Sequence, residues 1–60
     1  MERAEALSLL PAAYATALRL EQGGFGRDVI AQAVGVEVEA VDNLLRVARS
    51  KLDALLEETP

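Results

Sequence analysis

Ten carboxylates, six Lys or Arg cations and five hydroxyls are the groups this 60-residue chain offers for chemistry, and it has no histidine and no cysteine. The commonest general base and transition-metal ligand is therefore missing. So are the thiolate nucleophile, the disulfide and the zinc knuckle. The hydroxyls of Ser8, Tyr14, Thr16, Ser50 and Thr59 have no His to activate them. A pair of carboxylates remains for acid–base work, but so short a chain leaves little room for a pocket around it. The expectation is a protein that is not an enzyme and holds no cofactor or metal.

Recognition is what the remaining charges can do. Arg46, Arg49 and Lys51 lie close together, after a stretch from Glu37 to Asp42 that contains three acids and no base. The cations serve either as phosphate contacts or as the polar side of a long helix. Arg46 with Ser50 and Arg49 with Asp53 stand four apart, and the second pair is spaced for an ion pair. The acids complement the dipole at a helix start and solvate one face. Against duplex DNA they work the other way, because affinity there comes largely from neutralising phosphates, although one carboxylate can accept from cytosine N4. The chain as a whole carries a net charge of −4.

The elements that must position these groups read as helices. Eleven alanines, ten leucines and six valines dominate the apolar half, and Ala and Leu lead the helix scale. Breakers at Pro11, at Gly23-Gly24-Phe25-Gly26 and at Gly35 divide the chain into helices over about 2–9, 11–22, 27–34 and 38–57. Pro11 suits a first helical turn. Gly26 is an acceptable N-cap, with Asp28 complementing the dipole behind it. Gly35 has room for a positive φ. The fold class expected is all-α, a small three- to four-helix bundle in a single domain spanning 1–60, with only Thr59-Pro60 as a tail.

In the last helix, Val41, Leu45, Ala48, Leu52 and Leu55 follow at steps of four, three, four and three and form a narrow seam that must face something, here read as the other two long helices rather than a coiled-coil partner. Beside it, Ala40, Leu44 and Val47 make a second apolar stripe, either deeper core packing or a surface for a partner or a second copy. Ile30, Ala31 and Val34 form the inward face of the third helix, and Tyr14 and Phe25 read as core anchors. Residues Ala6 to Leu18 are uncharged, but Glu2, Glu5 and Pro11 do not suit a signal peptide. That run also falls short of the ~20 residues a membrane span needs. The reading is a cytoplasmic chain with no membrane partner.

A short helix ending in Ala-Val-Gly-Val with a longer one starting three residues on has the layout of a helix-turn-helix. Ala31 is the small residue at the crossing, and Gly35 sits in the turn. Ile30, Val34, Val36, Val41 and Leu44 or Leu45 pin the pair. In order, Leu10-Pro11, Phe25 to Ala31, Gly35-Val36, Val38, Val41 and Arg46-Val47-Ala48-Arg49-Ser50-Lys51-Leu52 resemble the C-terminal promoter-reading domain, region four, of bacterial sigma factors. They are also similar to the related LuxR-type output domains. The resemblance covers about residues 7 to 56.

What the resemblance implies is a module of bacterial transcription regulation. Its second helix, Val38 to Ser50 here, would enter the major groove of promoter-type double-stranded DNA. The groove-facing positions carried over are Glu37, Glu39, Ala40, Asp42, Asn43 and Arg46. Asn43 and Arg46 would read bases, while Arg27, Arg49 and Lys51 hold phosphates. This chain departs from the family where Ser, Thr and basic residues are usual, with two Glu, an Ala and an Asp. The alternative is a protein-interaction module that kept the fold and lost DNA binding. Through Ala40, Leu44 and Val47 it would form a homodimer or bind RNA polymerase or another regulator.

Overall fold

Four α-helices and one 3-10 turn account for most of residues 1–57, the part of the chain that the computed structural model describes. The helices are α1 (Arg3–Leu9), α2 (Ala12–Gln22), α3 (Arg27–Val34) and α4 (Val41–Glu57), with the 3-10 turn at Val38–Ala40. The fold is a small all-α bundle. The Thr59-Pro60 tail lies outside the described residues. Among the described residues, no helix is long and apolar enough to cross a membrane.

The core is built from small and medium aliphatics. Ala6, Leu7 and Leu10 come from the first helix and its end, and Ala15, Ala17 and Leu18 from α2. Ile30 and Ala31 come from α3, and Val41, Leu45, Ala48 and Leu52 from α4. α2 packs on both α3 and α4, α1 packs on α4, and α3 also meets the 3-10 turn. Ala6, Ala17 and Ala48 are completely inaccessible, as expected where methyl side chains let helices approach closely. No polar or charged residue is buried among the described residues.

Several boundaries differ from the sequence pattern for local reasons. Pro11 is the N-cap of α2 rather than part of its first turn, with ψ 146° and its carbonyl accepting from the Ala15 N–H at 3.1 Å. Leu10 before it is extended, as steric clash with a following proline demands. Glu2 caps α1, so that helix starts one residue later than expected. The span 38–57 is not one α-helix. Its first three residues form the 3-10 turn, closed by the Ala40 N–H on the Glu37 carbonyl at 3.0 Å, a tighter opening common at helix ends.

Two apolar residues expected inside lie at the surface instead. Phe25 is 53% exposed and Val36 is 38% exposed. Each follows a glycine in the left-handed region, Gly24 at φ 86° and Gly35 at φ 75°. Each then donates its N–H back to the preceding helix, Phe25 to Leu20 and Val36 to Ala31. That is the closure of a Schellman-type helix end, and it turns the next side chain back over the helix terminus. The Phe25 ring accordingly lies across Gly23, where an added Cβ would come within 3.1 Å of it. Tyr14, the other aromatic residue, does pack against the core, half-buried.

Candidate functional site

An open groove of about 570 Å³ runs between the α2–α3 loop and α4. Three guanidinium groups line it, those of Arg27, Arg46 and Arg49, together with the carboxylates of Glu21 and Asp42 and the ring of Phe25. Ile30 and Leu45, both buried, also contribute to its lining.

The fold brings these groups together from three helices. Arg27 opens α3 and Asp42 lies in the first turn of α4, so the packing of α3 on α4 and the 3-10 turn sets them side by side. Arg27 Nε donates to Asp42 Oδ1 at 2.6 Å. That hydrogen bond, and then the carboxylate's charge, raise the Arg27 pKa above its ordinary value. Both side chains are about two-thirds exposed (64% and 69%), so water screens the pair and leaves it exchangeable. Arg49 pairs with Glu21, at the end of α2. Arg46 donates to the side-chain oxygen of Asn43, one turn earlier in α4.

Of the five residues expected to meet DNA, Arg27, Arg46 and Arg49 share the groove, and Asn43 adjoins it through Arg46. Lys51 does not line it. Its Nζ sits 5.8 Å from the centre of the Tyr14 ring, within cation–π range. The Arg49–Asp53 pair expected along α4 is replaced by Arg49–Glu21, across helices. An acid following its base by four residues is the weaker orientation on a helix, and Glu21 is supplied by α2. Arg46 likewise bonds Asn43 and not Ser50. Glu21 escaped the sequence reading because its partner is 28 residues away, beyond any local periodicity.

The apolar stripe expected beside the α4 seam is divided. Ala40 is exposed, Leu44 is half-buried and packs on the core, and Val47 is half-buried. Glu37, Glu39, Asp42 and Asn43 are all exposed at the front of α4. Among the described residues the larger exposed aliphatics lie elsewhere, at Leu9, Val29, Val36 and Val38. No protein family, curated protein or solved structure matches the chain.

Proposed function

We propose that the chain is a helix-turn-helix module of the sigma region-four kind, acting in bacterial transcription regulation by docking α4 in the major groove of promoter-type DNA. The observation that carries this reading is the gathering of Arg27, Arg46 and Arg49 on one groove beside Asn43, in a chain of net charge −4. Half of its six cations are thus concentrated along one edge of α4. The carboxylates that hold Arg27 and Arg49 are surface partners, and a phosphate can replace each in the same geometry. Asn43 and Arg46 then face base edges, the usual task of amide and guanidinium groups in the major groove.

The test is a mobility shift on promoter-like and random duplexes across a salt series. The two phosphate contacts, through Arg27 and Arg49, give a slope of log affinity against log salt of about −1.8. No shift at low salt on either duplex overturns the reading.

A second reading is a fold-retaining protein-interaction module that no longer binds DNA and acts by homodimerisation or by binding RNA polymerase or a regulator. It is favoured by the exposed acids Glu37 and Glu39 at the leading edge of α4 and by the neutralisation of Arg27 and Arg49 within the chain. Light scattering that gives a dimer, dissociated by Val47→Asp with helicity unchanged, supports it. A monomer that binds duplex with the slope above overturns it.

A further inference from the structure

We infer that the groove between the α2–α3 loop and α4 is a binding site for a small aromatic monocarboxylate. Three guanidinium groups and two carboxylates line it, those of Arg27, Arg46, Arg49, Glu21 and Asp42. Its formal charge is therefore +1, in a chain at −4. The excess positive charge has an address. Arg27 is held by Asp42 and Arg49 by Glu21, whereas Arg46 donates to the neutral side-chain oxygen of Asn43. Arg46 is exposed and belongs to neither ion pair found among the described residues. A guanidinium carries five N–H donors in a planar fork, so one bond to Asn43 leaves donors for a carboxylate. A single carboxylate on Arg46 breaks no existing pair. An anion of higher charge must displace Asp42 or Glu21 to find a second cation.

The rest of the lining selects an aromatic body. The Phe25 ring lines the groove, 53% exposed and backed by Gly23, where an added Cβ would meet it at 3.1 Å. The Phe25 N–H bonds the Leu20 carbonyl at 3.1 Å, which fixes the backbone that carries the ring before any ligand arrives. Such a ring favours another planar ring, offset or edge-on. Ile30 and Leu45, core residues of α3 and α4, add apolar surface to the same groove. Its volume of about 570 Å³ lies within the range of small-molecule sites, roughly 300–1,000 Å³. The assignment does not depend on the DNA reading. The two meet at Arg46, so a bound acid competes with duplex there.

The experiment is a titration of the full chain with 2-naphthoate, followed by amide proton–nitrogen NMR. Two analogues serve as controls, the neutral 2-naphthamide and the saturated decalin carboxylate. The acid has ~13 non-hydrogen atoms, which at ordinary ligand efficiency gives a Kd of about 1 mM. The expected shifts saturate and gather at Phe25, Arg27, Arg46 and Arg49. Each analogue binds roughly tenfold more weakly, because one lacks the charge and the other the ring. Arg46→Gln and Phe25→Ala, checked for unchanged helicity, each weaken the acid about tenfold. Lys51→Gln removes the same charge outside the groove and leaves the affinity unchanged. Shifts that do not saturate or spread over the whole surface overturn the proposal, as do equal binding of either analogue and indifference to either groove variant. Tenfold tighter binding of 2-naphthyl phosphate overturns it in favour of a phosphate site. No DNA is present, so a failed mobility shift and a failed titration remain separate results.

Discussion

Replacing Gly35 with alanine isolates one cost. Gly35 sits at φ 75°, and a Cβ built there meets nothing within 4 Å. The substitution therefore introduces no clash with a neighbouring element, only the strain of holding an L-residue in the left-handed region, roughly 1–2 kcal/mol. Alanine also restricts the unfolded chain more than glycine does, which returns about 0.4–1 kcal/mol. The net loss is about 1 kcal/mol, a large share of the roughly 3–5 kcal/mol that a core of this size supplies. In a domain this small it lowers Tm by about 4–8 °C. Thermal and urea unfolding followed by circular dichroism at 222 nm measure it. Gly35→Asn, whose side chain tolerates this backbone region, loses about half as much. A neutral alanine variant, or an asparagine variant as damaged as the alanine one, refutes the argument that backbone conformation alone reserves this position for glycine.

Other perturbations address the core and the groove. Leu18, 1% exposed, costs about 2–5 kcal/mol when cut to alanine, so Leu18→Ala shows little or no cooperative unfolding transition at room temperature; a transition within a few degrees of the parent's argues against a core centred there. Ala48→Leu adds bulk at a completely inaccessible position and destabilises by about 1–3 kcal/mol, measured by urea titration, whereas Ala54→Leu on the exposed side of α4 stays within about 0.5 kcal/mol. Under the DNA reading, Asp42→Asn removes an acid and frees Arg27, and duplex affinity at low salt rises about fivefold in the mobility shift; an unchanged or weaker shift removes Arg27 from the phosphate contacts.

The helical skeleton was legible because its signals are local. Steps of four and three along α4 named Val41, Leu45, Ala48 and Leu52, and all four are buried, with Leu55 half-buried at the far end. Gly35 at positive φ followed from the backbone freedom that its place requires, while Gly26, an acceptable N-cap residue, sits in extended backbone open to any residue. Ile30 and Ala31 were found on the inward side of α3 for the same periodic reason. Phe25 and Val36 misled the reading because hydrophobicity says nothing about how a chain leaves a helix. The left-handed glycine before each decides that. The groove was only half visible. Arg46 and Asn43 sit on one helix at readable spacing, while the Arg27–Asp42 and Arg49–Glu21 pairs join separate helices. Such pairs depend on how the helices pack, which no periodicity within one helix encodes. Even the front of α4 fell between scales, since a single 3-10 turn and an α-helical start share the same hydrophobic pattern.

Among the described residues the core has no polar side chain inside it, so it holds α4 by contacts that have no direction. The Arg27–Asp42 and Arg49–Glu21 pairs tie the helix only at the surface. Within the core, shape sets how far along its own axis it sits. A slip of one turn, about 5.4 Å, would bring Leu44 or Leu52 to the place Ala48 now fills, a site with no accessible surface to spare. The alanine works as a notch in a ratchet. Its smallness forbids every neighbouring register, a task that hydrogen-bonded pairs perform in cores that contain them.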